Sequence, residues 1–377
     1  MNCGTDAHSA LQKPGSTHPL TTEHFRLMVF LSIVWTVHCP QKRLIVPIFS
    51  KQRMVNDNNN LNNDSCGNIT NFKANIYIQT YIIVFIFGFI ENAFCLYILL
   101  KLYKRNTTFS IVMVNLAISD LLFVCTLPWR VHYYWNNNKW DFPFSFCMFL
   151  TYALYLNMYC SIYFLTLMSV LRYFAVVHPM KALKYRSVRS VQIICVAIWV
   201  FVGVSTVPFV IKKNEQNDSN TTKCFELNNG ISNENSTMSN ESTMNFFSLV
   251  VGCIIPFLTI SVCYIFVVKT LLTSEIQCHQ QKRSRKTAIA MIIIVMIIFL
   301  TCFLPYHILR TVYLVTRQNS PSVSCTHKAL VVTLCAVVIN PCLDPLLYYF
   351  AAETFRGKVR STIKTTFRGS LALMRKT

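Results

Sequence analysis

Seven long apolar stretches constrain this chain more than any other feature of its sequence. They lie near residues 75–103, 109–134, 145–177, 189–211, 245–273, 286–315 and 327–350. Each has the roughly 20 residues that a helix needs to cross a bilayer, and hydrocarbon offers the backbone no other hydrogen-bond partners than its own. The sequence therefore predicts an all-α membrane protein, a bundle of seven transmembrane helices over residues 74–350. Residues 1–73 would form an N-terminal segment, and residues 351–377 a short amphipathic helix 8 and tail.

The basic residues indicate how these stretches are oriented. The formal net charge is +20, although only 13% of the 377 residues are charged. Lysine and arginine are concentrated in alternate connections and in the C-terminal tail, as in the cytoplasmic segments of membrane proteins. These residues are Lys101, Lys104, Arg105, Lys181, Lys184, Arg186, Arg189, Lys282, Arg283, Arg285, Lys286, Arg356, Lys358, Arg360, Lys364 and Arg368. The pattern predicts a multi-pass plasma-membrane protein with its N-terminus outside, and such dispersed charge argues against nucleic acid as a partner.

Asparagine glycosylation signals agree with that orientation. The triplet N-x-S/T begins at Asn63, Asn68, Asn217, Asn220, Asn235 and Asn240, all on the predicted outer side. A further triplet at Asn106 lies in a basic cytoplasmic turn, where we expect it to be unused. The segment 1–53 fits no ordinary signal peptide, so we treat it as a doubtful extension, with Met28 or Met54 as alternative starts.

Beyond the doubtful segment 1–53, four of the 16 cysteines fall on the predicted outer side, where oxidising conditions allow disulfides. Cys147 opens the third stretch and Cys224 lies in the loop after the fourth, while Cys66 precedes the first stretch and Cys325 the seventh. Bridges Cys147–Cys224 and Cys66–Cys325 would pin that loop over the bundle and close the ring of helix ends. Spacing alone does not prove a pairing. The sequence has no CxxC motif or His/Cys cluster that would indicate a metal centre.

Two carboxyl groups interrupt the apolar stretches at membrane depth. Asp120 lies in the second stretch and Asp344 in the seventh, where a charge costs about 3 kcal/mol or more and marks a functional site by default. Amide and hydroxyl groups complete a predicted polar cluster of Asn92, Asp120, Asn157, Ser161, Asn340 and Asp344. Such oxygen ligands suit a bound Na⁺ or ordered water. An allosteric Na⁺ is thus the one candidate cofactor, and a purely structural hydrogen-bond network is the alternative.

Cations and aromatic residues gather toward the outer ends of the stretches. The candidate ligand-binding residues are Lys73, Arg130, Tyr155, Tyr159, His307, Arg310 and His327. Tyr155 and Tyr159 are four residues apart and so share one face of the third helix. Any one of the bases could instead be an interfacial anchor, but together they predict a pocket for an anionic ligand with an apolar body. The pocket would open outward or sideways.

The predicted cytoplasmic side carries a second group of polar residues. Arg172 ends the third stretch, and Tyr264 and Tyr348 end the fifth and seventh. They would converge around a cytoplasmic cavity, unless Arg172 is only an anchor that extends to the interface. Prolines in five stretches remove backbone hydrogen bonds and predict bent helices: Pro128, Pro208, Pro256, Pro305 and Pro345.

Residues 62–365 resemble a rhodopsin-like (class A) G-protein-coupled receptor. The matching residues are Asn92, Asn115, Leu116, Ala117, Asp120, Cys147, Arg172, Trp199, Pro256, residues 302–305 and residues 344–348. Within that class the chain is similar to the cysteinyl leukotriene receptors, particularly the type 2 group. This narrower likeness rests on residues 71–73, 116–123, 152–155, 161–166, 302–307 and 346–350.

The resemblance implies a receptor that is not an enzyme. Its ligand would be a cysteinyl leukotriene, with a lipid tail and a peptide head bearing carboxylates, contacted by Lys73, Arg130, Tyr155, Arg310 and His327. The resemblance further implies coupling through a Gq-type heterotrimeric G protein to phospholipase C and calcium release. Arrestin is a further candidate partner, whose recruitment we expect the short tail to limit.

Four positions depart from the widespread pattern of the class. Leu171 replaces the acid that usually precedes Arg172, a loss shared by the leukotriene receptors, and Phe303 replaces a frequent tryptophan. Asp344 replaces the more widespread asparagine, and Glu91 stands where glycine is usual.

Other functions remain open at this point. The HxxR spacing of His307 and Arg310 is also found in receptors for extracellular nucleotides. Against that alternative, the seventh stretch lacks the acid and arginine expected of them. Another anionic lipid mediator is a further candidate ligand. A transporter would show two related halves, which the sequence lacks.

Overall fold

The computed structural model describes residues 69–102, 107–178, 187–215, 224–225, 235–273, 279–319, 324–351 and 357. The α-helices of this part are Ile69–Tyr97, Thr108–Val124, Leu127–Trp135, Phe144–Val177, Val188–Glu215, Asn235–Leu249, Ile255–Thr273, His279–Ile298, Leu304–Asn319 and Ser324–Ala351. Three π-helical segments, Ile98–Leu102, Val250–Ile254 and Phe299–Phe303, extend or join them. No strand occurs within the described residues.

Seven helical runs are long and apolar enough to cross a membrane. In chain order, spans one to seven are Ile69–Lys101, Thr108–Trp135, Phe144–Val177, Val188–Val210, Ser242–Thr273, Thr287–Thr316 and Cys325–Tyr348. The predicted seven-helix membrane bundle is therefore confirmed. The first span begins six residues before the predicted 75, because the helix continues outward through polar residues. The predicted helix 8 lies outside the described residues, apart from Ala351 and Gly357.

The second span is two helices rather than one bent helix. The first helix ends at Val124, and the hydroxyl of Thr126 donates to the carbonyl of Phe123 (2.6 Å) in the turn that follows. Pro128 then lies in the first turn of the helix Leu127–Trp135, where a missing N–H costs nothing. The bend predicted at Pro128 thus takes the form of a break between two helices, whereas Pro208 and Pro345 lie inside helices.

The fifth and sixth spans each contain a π-helical segment just before a proline. Val250–Ile254 precedes Pro256 by two residues, and Phe299–Phe303 precedes Pro305 by two. A proline ring collides with the carbonyl four residues earlier in an α-helix, and the wider π turn moves that carbonyl away. Both segments lie at the level of the buried core, since Cys253 and Phe303 are fully buried.

The third span holds the bundle together. Its Tyr152 hydroxyl donates to the carbonyl of Gly203 in the fourth span (3.1 Å). Its Tyr163 hydroxyl donates to the carbonyl of Val251 in the fifth (2.9 Å). The first span packs instead against the second and seventh. The third span is therefore the element from which most of the candidate site is built.

A disulfide fixes the loop between the fourth and fifth spans over the outer ends of the helices. Cys147 and Cys224 are bonded, with their Cα atoms 6.0 Å apart, which confirms that predicted bridge. Phe225 follows at φ 55° and packs against Tyr133. Cys325 is also disulfide-bonded, and its predicted partner, Cys66, lies outside the described residues.

Candidate ligand pocket and buried acid network

The sixth span places Arg310 among aromatic residues of the third, fourth and sixth spans. Its guanidinium donates to the hydroxyls of Tyr306 (3.0 Å) and Tyr155 (3.3 Å). The same group lies 5.4 Å from the ring centroids of both Tyr155 and Phe209. No carboxylate pairs with Arg310 among the described residues. We call Arg310, Tyr155, Tyr306 and Phe209 the arginine cage; its cation is held by hydroxyls and rings and retains its full positive charge.

Below the arginine cage lies a pair of hydroxyl groups. The Tyr159 and Ser248 hydroxyls are 2.8 Å apart and join the third and fifth spans. His307 packs beside the Tyr159 ring at 5.9 Å between centroids. The Nδ1–H of His307 donates to the carbonyl of Phe303 (2.9 Å), so the buried Nε2, which has no partner of its own, is left as an acceptor.

An apolar cleft opens beside these groups, between the third, fourth and fifth spans. It is an open groove, whose empty volume of about 300 Å³ includes space continuous with the surroundings. It is lined by Tyr159, Tyr163, Phe201, Val202, Ser205, Phe209, Phe247, Ser248, Val251 and Gly252. Phe209 belongs to both regions, because it lines the cleft and stacks on Tyr155 with the ring centroids 5.2 Å apart. An apolar cleft thus continues directly into the arginine cage.

Glycine at position 252 is what lets the third and fifth spans approach so closely. A Cβ atom there would come 2.5 Å from Cε1 of Tyr159 and 3.0 Å from its Cδ1. No side chain other than hydrogen fits this position without moving the Tyr159 ring. The floor of the cleft therefore depends on Gly252.

The other predicted ligand-binding cations contact residues that do not belong to the arginine cage. Arg130 is buried, 3% exposed; it donates to the carbonyl of Leu150 (2.6 Å) and lies 4.3 Å from the Phe225 ring. Lys73 lies over the ring of Tyr134 at 5.7 Å. His327 packs against Tyr313 with the ring centroids 5.3 Å apart.

The predicted polar cluster comes together in the middle of the bundle, and all six members are buried. The Asn157 amide donates to Asp120 (2.9 Å) and to the Ser119 hydroxyl (3.2 Å), and the Asn340 amide donates to Asp344 (2.8 Å). The Asp120 and Asp344 carboxyl groups interact directly with each other.

Several oxygens of this cluster have no hydrogen-bond partner. These are Asn92 Oδ1, Asp120 Oδ2, Ser161 Oγ, Asn340 Oδ1 and Asp344 Oδ1. The Asn92 amide group, by contrast, donates to the carbonyls of Pro341 (2.7 Å) and Gly88 (2.9 Å). Two carboxyl groups side by side and a surplus of unused oxygens form a donor set that fits a small hard cation or ordered water.

At the end of the bundle that is predicted to be cytoplasmic, Arg172 is half-buried and lies 4.0 Å from the ring of Phe109 in the second span. Tyr264 is half-buried on the fifth span, and Tyr348 is fully buried on the seventh with its hydroxyl lacking a partner. A link between spans two and four lies on the same half of the bundle, where Trp199 Nε1 donates to Asn115 Oδ1 (3.0 Å).

Sequence reasoning missed four members of the site: Phe209, Tyr306, Ser248 and Gly252. Phe209 and Gly252 carry no polar group, so these two could not stand out in an apolar span. Tyr306 had a usable signal, because its hydroxyl lies four residues before Arg310 and so on the same helix face. Ser248 had a usable signal, because it and Asn245 are polar residues three apart at the outer end of an apolar span and so share a face. Both are buried, and Asn245 donates to Thr311 of the sixth span (3.0 Å).

The structure describes no side chain of the six predicted glycosylation sites. Asn63, Asn68, Asn217 and Asn220 lie outside the described residues, and of Asn235 and Asn240 only the helical backbone is described. They remain predictions.

Seven membrane-crossing helices, a cationic outer pocket and a buried acid pair together define a seven-helix membrane receptor. Residues 91–348 match the family described as 7 transmembrane receptor (rhodopsin family), and the chain belongs to this family. It is a receptor rather than an enzyme.

Relatives within the family carry more specific names. The chain is 42% identical to cysteinyl leukotriene receptor 2 of Homo sapiens over 305 residues, which cover 81% of this chain and 86% of that receptor. It is 40% identical to cysteinyl leukotriene receptor 1 of Homo sapiens, with 80% and 87% covered. The uracil nucleotide/cysteinyl leukotriene receptor of Homo sapiens is 32% identical, with 78% of each chain covered. The resemblance inferred from short stretches of sequence is therefore confirmed.

Proposed function

We propose that this chain is a plasma-membrane receptor for cysteinyl leukotrienes that signals mainly through Gq, phospholipase C and calcium. The observation that carries the proposal is the arginine cage, whose cation pairs with no carboxylate of the described residues and adjoins an apolar cleft. A leukotriene has the matching chemistry, since it combines a carboxylate-bearing peptide head with a lipid tail. The identity of 40% or more to receptors with that name supports the same ligand class.

The ligand's carboxylates would bind at Arg310 and its tail would occupy the cleft. Arginine presents parallel donors that fit a carboxylate, and the Tyr155 and Tyr306 hydroxyls that now accept from Arg310 can turn to donate to the incoming anion. The tail would then pass Phe209 and lie over Tyr163 and Phe201. Lys73, Arg130 and His327 remain candidate contacts for the second carboxylate.

Activation would proceed through the sixth span. Phe303 follows the cage inward and contacts Phe299 (5.9 Å between ring centroids), and both residues lie in the π-helical segment. Contraction of the outer pocket would be transmitted through these rings and move the cytoplasmic end of the sixth span outward. Arg172 would then leave the Phe109 ring and meet the G protein, with Tyr264 and Tyr348 beside it. The ligand shifts this equilibrium only by its differential affinity for the two states.

The acid pair would oppose activation when it holds a cation. A Na⁺ ion would be held by Asp120 and Asp344 with Ser161, Asn157 and Asn340 around it, and it would neutralise repulsion between two buried carboxylates. Closer packing of the spans in the active state would expel it, so Na⁺ would favour the resting state. Ordered water in the same place is the alternative.

The test is intracellular calcium in cells expressing the full chain, challenged separately with leukotrienes C4, D4 and E4 and with UDP and ATP. We expect a leukotriene response that a Gq inhibitor abolishes. A response to nucleotides alone would overturn the ligand assignment and make His307 and Arg310 a phosphate site. A leukotriene response that resists the inhibitor would overturn only the coupling. Arrestin recruitment, measured in parallel, is expected to be weak.

A further inference from the structure

Glu91 is an acidic residue in the first span that neither the pocket nor the acid pair uses. It lies ten residues before Lys101, the last residue of the span, which places it about 15 Å from that end at 1.5 Å per residue. This distance puts Glu91 near the middle of the hydrocarbon layer. Its side chain is partly exposed and makes no hydrogen bond or ion pair with any described residue. Among the described residues, the structure thus leaves this carboxyl group at membrane depth without a hydrogen-bond or ion-pair partner.

The surroundings of Glu91 place it at the border between the bundle and the lipid. Gly88 and Cys95 of the same span are buried against the bundle. On the other side, Phe87 is 56% and Ile90 is 61% exposed, and with Ile83 they form a stripe that faces outward. A partner that approaches this stripe would reach the Glu91 carboxyl group.

We propose that Glu91 joins two copies of this receptor through their first spans. An unpaired carboxylate in hydrocarbon costs about 3 kcal/mol, so the neutral acid is the form that suits this position. A neutral carboxyl group both donates and accepts a hydrogen bond, and is therefore complementary to a second group of the same kind. Two such groups form a reciprocal pair without any net charge.

Membrane geometry selects a second copy as the partner. Two identical receptors in one bilayer are related by a two-fold axis along the membrane normal, which brings each residue to the depth of its own counterpart. Glu91 therefore meets Glu91 without any further adjustment in depth. Cationic lipid headgroups lie at the surface, about 15 Å away, and cannot reach it. The outward stripe of Phe87, Ile90 and Ile83 would supply the apolar contacts around the pair.

The first experiment measures resonance energy transfer between donor- and acceptor-labelled full-length receptors at matched surface density. One interhelical polar contact contributes about 0.6–2 kcal/mol, so Glu91→Leu should weaken association about 3- to 30-fold. Glu91→Gln should retain most of it, because an amide also donates and accepts. Ile193→Ala, on the lipid face of the fourth span, is the matched control and should change nothing. Undiminished transfer in Glu91→Leu, or an equal loss in Ile193→Ala, would overturn the proposal.

A second experiment leaves Glu91 in place. Ile90→Cys puts a thiol next to the carboxyl group, and oxidation should form a disulfide between two copies. The cross-link should disappear when Glu91→Leu is added and persist with Glu91→Gln. Loss of the cross-link in both double variants would contradict a contact made by a neutral donor and acceptor, and persistence in both would overturn any role of Glu91 in the contact. Neither measurement needs a ligand, so failure of the leukotriene proposal would leave this one standing.

Discussion

The arginine cage and the acid pair both place ionisable groups inside the helical bundle, but their surroundings compensate the charge to different degrees. Arg310 carries a positive charge that faces aromatic rings and donates from Nη1 to two hydroxyls, and none of its nitrogens is buried without a partner. Asp120 and Asp344 lie against each other, and each retains an oxygen without a partner. The cage is therefore stable as it stands and gains from an added anion. The acid pair is not stable with both groups ionised, and needs an added cation, a proton or water.

That difference separates binding from regulation. A site whose charge is already compensated by rings and hydroxyls is stable without its ligand, as expected of an outer pocket. A site with unsatisfied oxygens changes its energy whenever the helices around it move, as expected of an internal switch. The following substitutions test this division, beginning with the largest expected effect.

Arg310→Ala should cause the largest loss. Charge-assisted hydrogen bonds contribute about 1.5–3 kcal/mol, so the potency of leukotriene D4 in a calcium assay should fall about 10- to 100-fold. Lys328→Ala is the matched control, because Lys328 is also an outer cation lying over a ring, Phe72, at 5.3 Å. Its effect should stay below about threefold. Unchanged potency in Arg310→Ala would show that the cage does not bind the ligand.

Gly252→Ala should destabilise the floor of the cleft. The new methyl group would collide with the Tyr159 ring, whose Cε1 lies 2.5 Å from the position of the Cβ atom. Overpacking of this kind costs about 1–3 kcal/mol, so the thermal unfolding midpoint of the purified receptor should fall and ligand affinity with it. Gly203→Ala is the control, since its nearest neighbour, the Tyr152 hydroxyl, is 3.3 Å away. Equal behaviour of the two variants would contradict the close packing at Gly252.

Asp120→Asn should abolish the sodium sensitivity of agonist binding and leave the cage intact. Allosteric couplings are typically about 1–3 kcal/mol, so replacing choline chloride by NaCl should weaken agonist binding about fivefold in the native receptor. The shift should vanish in the variant, because one carboxylate is gone. Ser119→Ala provides the control: it removes a hydrogen bond of Asn157 (3.2 Å) and no charge. A sodium shift that persists in Asp120→Asn would assign the acid pair to water.

Ser248→Ala should have the smallest effect. It removes one neutral hydrogen bond to Tyr159, which is worth about 1 kcal/mol, so ligand affinity should fall about fivefold. Tyr159→Phe should cause a similar loss, and the double variant should lose no more than either single one. Additive losses would mean that the two hydroxyls contact the ligand separately.

The sequence predicted the spans far better than their internal irregularities. The third span was expected at 145–177 and is Phe144–Val177, because long apolar runs leave helices as the only solution in a bilayer. Prolines predicted bends, but not that two of them would lie behind π-helical segments. Whether a π turn forms before a proline depends on which freed backbone carbonyls can accept a hydrogen bond from a neighbouring helix, as the carbonyl of Val251 does from Tyr163.

For the site, charge was the useful guide. Asp120, Asn157, Asn340 and Asp344 were grouped because they are polar residues in apolar spans, and Asn157 donates to Asp120 and Asn340 to Asp344. The arginine cage was found only in part, because Phe209 resembles any other apolar residue of its span until the fold brings it under Arg310. The disulfide Cys147–Cys224 was predicted from location rather than spacing.

The π-helical segment Phe299–Phe303 gives the sixth span one place where its chain length can change. Each residue of an α-helix turns the chain by about 100°, so a residue lost from the regular helix Leu304–Asn319 would rotate everything beyond it by that angle. The wide turn instead contains one residue more than an α-helical turn within a single full turn. Loss of that residue would restore a regular helix and leave Leu304–Asn319 facing the same way, with Arg310 still beside Tyr155. In evolutionary terms, one codon can be gained or lost in this stretch while the direction of the pocket residues beyond it is kept.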